Sequence, residues 1–158
     1  MPSRAQQPQA FAAFLNPAMV GAVQAVMAQE YELKRGRALV WPLAMVLPVL
    51  VLHRSTREAL PSSIRTHLPT WAGRNPALLA GFGPRVDSTL PVLREGLRFA
   101  LRHNLIQVEG GAVHAVPLSM RGAAGELQEL LKAARLVGKW AGTVDQPSTL
   151  LALLGVRV

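Results

Sequence analysis

Residues 38–52, ALVWPLAMVLPVLVL, carry no charged side chain and present no polar face. A helix that is apolar all round must be buried all round, in the centre of a fold or against a partner. Pro42 suits a first helical turn, and Pro48 predicts a kink or a restart. The run leads straight into HRSTRE, and positions 34–74 hold seven Lys or Arg against one acid, Glu58. The stretch 42–71 therefore predicts a buried helix that holds a basic turn at a surface. Its residues His53, Arg54, Arg57 and Arg65 are candidate partner contacts; the competing role for the arginines is to cap helix ends and neutralise local carbonyls.

The apolar run is shorter than the roughly 20 residues that cross a bilayer. MPSRAQQPQA at the N-terminus lacks an apolar signal-type core. A cytoplasmic location with no membrane partner is expected. The chain has no cysteine, which removes disulfide frameworks and thiolate zinc sites. Its 158 residues suit one core, so the expected organisation is a mobile tail at 1–13 and a single domain at 14–158. The formal charge of +8 suits a polyanionic or acidic partner, although charge also serves solubility.

Asn16-Pro17 is a helix start, with apolar residues at helical spacing from Met19 to Tyr31 and Gly36 as a left-handed stop. Ser55 with Glu58 has capping-box spacing and predicts a brief helix ended by Pro61. Ser62-Ser63 predicts another cap, for a helix through Arg65 that Pro69 disturbs. Asn75-Pro76 opens a short helix over 77–82, stopped by Gly83-Pro84. Asp87-Ser88-Thr89 caps the next helix, which has Pro91 in its first turn and runs to about His103. Its core side holds Leu90, Leu93, Leu97, Ala100 and Leu101. Arg94, Arg98 and Arg102 form a stripe beside it, and Phe99 lies opposite the core.

Asn104 ends that helix, and LIQVEGGAVHAV at 105–116 reads as a hairpin turning on Gly110-Gly111. Val108 then faces Val113, and Ile106 faces Ala115. A last long helix over 126–141 has Leu127, Leu130, Leu131, Ala134 and Val137 inside, and a basic side of Lys132, Arg135 and Lys139. Leu136 and Trp140 form a second apolar patch, with a short helix over 149–154, capped at 145–148, available to cover it. The predicted fold is α+β and predominantly helical, with a winged-helix-like helix plus hairpin in the middle and helices at the C-terminal end. In such folds the helix before the hairpin is commonly laid in the major groove. Arg94, Arg98 and Arg102 are thus candidate nucleic-acid contacts; the alternative is a solvated arginine face.

No catalytic constellation is legible. His53, His67, His103 and His114 lack His, Asp or Glu partners at metal-ligand spacing, and neither a Walker loop nor a Gly-x-Ser-x-Gly elbow occurs. The expectation is a protein that is not an enzyme and takes no cofactor, metal or small-molecule substrate. Trp71, Phe99, Leu136 and Trp140, where exposed, are candidate interface anchors.

LNPAMV near the start, LPVLVLHRSTREALP in the centre, Arg65-Thr66 with Trp71, Asn75-Pro76, Gly81-Phe82, and VGKWAG with STLLALLGVR at the end together resemble one family over roughly 14–157. It is the middle component of three-component ABC-ATPase systems of the Lamassu type, which act in bacterial defence against phages and plasmids. Pro69, Gly83-Pro84 and Val158 depart from the family pattern. The resemblance implies a non-catalytic subunit that bridges an SMC-like ABC ATPase and an effector such as a nuclease, with DNA engaged through the complex. The alternative reading is a free-standing winged-helix DNA-binding regulator.

Overall fold

The computed structural model describes residues 15–157; the tail expected at 1–13 and the terminal Val158 lie outside the described residues. Helix α1 (Pro17–Arg35) begins as its sequence dictates, with Asn16 Oδ1 accepting the Ala18 N–H at 2.8 Å and Pro17 in the first turn. Gly36, at φ 76°, closes it by donating its N–H to the Glu32 carbonyl. Between positions 20 and 31 nearly every residue of α1 is buried. Two further long helices, α6 (Phe82–Arg102) and α7 (Gly125–Ala141), pack on it.

Glycines set both crossings. α6 meets the N-terminal half of α1, where a Cβ on Gly96 would lie 2.5 Å from Val20 Cγ1 and one on Gly21 would lie 2.8 Å from the Gly96 carbonyl oxygen. α7 meets the C-terminal half, where a Cβ on Gly138 would lie 2.6 Å from the Met27 carbonyl oxygen. Real Cβ atoms cannot approach so closely, so only glycine lets these backbones come together.

The apolar run divides. Its second and third residues form strand β1 (Leu39–Val40), and the rest forms α2 (Trp41–Leu52), with Pro42 in the first turn and every residue from 43 to 52 buried. Pro48 lies inside α2 without ending it. β1 had no signal of its own, because two residues carry no period. It exists because strand β3 (Ala112–Ala115) offers a free edge: Leu39 pairs with Val113 and Val40 with Ala112, and the Trp41 N–H donates to the Gly111 carbonyl at 2.9 Å.

Several predicted boundaries move. Ser55 forms no capping box: α3 (Arg54–Glu58) has His53 at its N-cap with no side-chain bond. Thr56 works backwards instead, its buried hydroxyl 2.9 Å from the carbonyl oxygens of both Leu50 and His53. The helix expected from Ser62-Ser63 is a series of bends and turns. Pro69 opens α4 (Leu68–Arg74) rather than disturbing an earlier helix. After α5 (Pro76–Ala80), α6 starts at Phe82, so Gly83-Pro84 sits in a first turn, where a missing N–H costs nothing, and does not stop a helix. Asp87-Ser88-Thr89 lies inside α6; the Ser88 and Thr89 hydroxyls donate to the Arg85 carbonyl at 3.0 and 2.6 Å, satisfying themselves within the helix instead of capping it. Leu101, placed on the core side from its spacing, is 42% exposed.

The end of α6 agrees with the sequence: Asn104 takes φ 57°. Strands β2 (Ile106–Glu109) and β3 follow, turning on Gly110 and Gly111 at φ 59° and 74°. Ile106 pairs with Ala115 and Val108 with Val113, the register read from the sequence. The aliphatic face is only partly covered, since Val108 is 49% exposed. The last helix, α8 (Pro147–Leu153), has Gln146 at its N-cap without a side-chain bond. Asp145 instead pairs with Arg35 at 2.9 Å. The fold is thus predominantly helical α+β, with a small antiparallel sheet in the order β1-β3-β2.

Candidate functional site

The turn after α2 is held by its own basic residues. His53 Nε2 lies 3.2 Å from Thr89 Oγ1, and the Thr89 hydroxyl donates to Arg85. Thr89 therefore accepts from His53, which places a proton on Nε2. Burial, and secondarily the Arg85 charge, holds the His53 pKa down at about 4, so its ring is neutral near pH 7. Arg57 donates to the Val51 carbonyl at 2.8 Å, closing the end of α2. Arg54 is exposed and paired with Glu58 at 2.7 Å; Arg65 is exposed. Of the four basic residues here, His53 and Arg57 build the turn, while Arg54 and Arg65 face outward.

Trp71 and Trp140 are both inside the fold, at 3% and 0% exposure, in an edge-to-face pair with ring centroids 5.2 Å apart. Trp71 Nε1 donates to the Ala59 carbonyl at 2.7 Å, and Trp140 Nε1 donates to the Thr66 carbonyl at 2.8 Å. The two indoles thereby pin the irregular segment 59–67 at both ends. What they offer a partner is the loop they hold.

On α6, Arg94, Arg98 and Arg102 are exposed as a stripe, with Arg98 paired to Glu95. Phe99 is half-buried, its ring centroid 4.1 Å from that of His103. The hairpin beside it ends in an exposed Glu109.

A second surface lies between α1, α7 and the pinned loop. Two adjoining shallow depressions share Ile64, Arg135 and Lys139; Leu136 and Lys132 also line one, Leu33 and Lys34 the other, and together they make one groove. Leu33 is 73% exposed. Glu30 lines the groove between its cations and is shared by Arg135 Nε at 3.2 Å and Lys139 Nζ at 3.8 Å. The sequence reading found Leu136 and the basic side of α7, but missed Leu33 and Ile64. Their signal was present: each is a lone aliphatic residue in a polar setting, Leu33 within ELKR and Ile64 within SSIRT.

Among the described residues, no group of His, Cys, Asp and Glu side chains could hold a metal, and no helix is long and apolar enough to cross a membrane. A family model for the ABC-three component (ABC-3C) system Middle Component 3 matches residues 4–158. No curated protein and no solved structure matches the chain.

Proposed function

We infer the function from one premise: this chain belongs to the Middle Component 3 family of ABC-three component systems. Such a component acts beside others. The role we propose is that of a non-catalytic bridging subunit, in a Lamassu-type defence system, that links a DNA-sensing, SMC-like ABC ATPase to an effector such as a nuclease. The observation that supports a bridge is the placement of two exposed cationic surfaces around α1. The arginine stripe belongs to α6, which crosses the N-terminal half of α1; the groove belongs to α7, which crosses the C-terminal half. The stretch 20–31 of α1, nearly all of it buried, lies between them. Two separate surfaces let one small subunit hold two neighbours at once.

The turn at Arg54 and Arg65 and the residues Phe99 and Leu136 are the proposed partner contacts, with His53, Arg57, Trp71 and Trp140 supporting them from within. DNA is met through the assembled complex. Co-expression of tagged protein with the ATPase and effector of its own system tests the role: both should be retained together, and retention of neither would refute it.

One observation favours a second reading. The order of α6, Asn104 and the β2–β3 hairpin is that of a winged helix, with Arg94, Arg98 and Arg102 on the helix that would enter a groove. As a free-standing regulator, the protein would bind a DNA site alone, with affinity falling steeply as salt rises, and would ignore the ATPase.

A further inference from the structure

We propose that the groove between α1, α7 and the pinned loop is the seat for an acidic, amphipathic segment of a partner protein. The proposal rests on the bridging reading for the partner's identity, and on the groove itself for the partner's chemistry. The groove has the layout of a protein interface, an apolar centre inside a charged rim. Leu33, at 73% exposure, projects from α1 just beyond the stretch 20–31, where nearly every residue is buried. Ile64 is brought opposite by backbone that the Trp140 indole anchors two residues away, at Thr66. Leu136 completes the centre from α7.

The rim decides the sign of the partner. Lys34, Lys132, Arg135 and Lys139 stand around one carboxylate, Glu30, whose side chain is only 9% exposed. Arg135 and Lys139 share that carboxylate. Lys34 and Lys132 make no ion pair among the described residues. The groove thus keeps a cationic excess around an apolar floor. A segment with aliphatic anchors on one face and Asp or Glu along its flanks would bury Leu33, Ile64 and Leu136 and neutralise the free lysines. A phosphate backbone matches the rim but leaves the apolar floor uncovered, so a protein segment fits better than DNA.

The test uses full-length protein with the purified ATPase and effector offered separately, and a duplex DNA as a third probe. The variant is Leu33→Glu with Lys132→Glu; both side chains are exposed, so the melting temperature should stay within a degree or two of wild type. Affinity for one of the two proteins should fall by about tenfold or more, with affinity for the other unchanged. If wild type binds the proteins and the variant binds them equally well, the groove proposal fails and the bridge stands. If the variant loses DNA binding and keeps both proteins, the groove is a nucleic-acid site and the proposal fails. If wild type binds neither protein, both the bridge and the groove proposal fail.

Discussion

The substitution Gly138→Ala isolates the packing that positions both surfaces. Within α7 alone it should help, because alanine in a helix interior is favoured over glycine by about 1 kcal/mol. Against α1 it should hurt, because the new Cβ would lie 2.6 Å from the Met27 carbonyl oxygen and 3.0 Å from Glu30 Cβ. Ordinary contact needs roughly 3.5 Å, and neither neighbour is the free end of a flexible side chain. α1 and α7 must therefore separate by several tenths of an ångström, shifting Glu30 away from Arg135 and Lys139. Overpacking costs about 1–3 kcal/mol, and a contact this short with backbone puts Gly138→Ala in the upper part of that range, at about 2–3 kcal/mol. After the propensity gain, a net loss of about 1–2 kcal/mol remains.

Gly73 in α4 supplies the control, since a Cβ there meets nothing within 4 Å. Gly73→Ala should be neutral or raise stability by up to about 1 kcal/mol. Urea unfolding followed by circular dichroism should lower the midpoint for Gly138→Ala and leave that for Gly73→Ala unchanged or raised. At this chain length Gly138→Ala should lower the melting temperature by about 2–8 °C. A Gly138→Ala protein as stable as wild type would refute the close crossing of α1 and α7.

His53 makes the fold sensitive to acid. Its pKa is held at about 4 in the fold, against 6.5 when unfolded, so the unfolded chain takes the proton first. The stability from keeping His53 neutral is fully present above pH 6.5 and is lost as pH falls from there towards 4, up to about 3 kcal/mol. His53→Gln keeps an N–H donor without the titration, and urea midpoints at pH 7 and pH 4.5 should differ less for it than for wild type. Trp140→Phe leaves the part-buried Thr66 carbonyl without its donor and should cost about 1–2 kcal/mol; protease cleavage within 59–67 should rise with it. Changing Arg94, Arg98 and Arg102 together to alanine should leave stability within about 0.5 kcal/mol and weaken DNA association of the assembled complex. Unchanged DNA association would dismiss the stripe as a contact site.

Where local chemistry decides structure, the sequence was legible. Asn16-Pro17, Gly36, Asn104 and Gly110-Gly111 each demand a particular backbone conformation, and each has it. Where tertiary context decides, it was not. The two-residue β1 needs a partner strand far along the chain, and Gly96 and Gly138 carry no apolar signal although they set the two helix crossings. Asp87-Ser88-Thr89 looked like a cap, and only the carbonyl of Arg85 within reach shows why a helix runs through it. The candidate site divides in the same way. The cations were plain to see in composition, and the buried Trp71 and Trp140 were identifiable as important side chains. That their indoles fasten segment 59–67, and so set Ile64 beside Leu33 and Leu136, depends on contacts between positions 59 and 71 and between 66 and 140.

The bridging role is tested most directly by omission. The ATPase and effector of the same system, mixed with and without this protein, are passed over a sizing column. A bridging subunit gives a joint peak of all three only when it is present, and separate ATPase and effector peaks without it. A joint ATPase and effector peak in its absence would contradict the bridge.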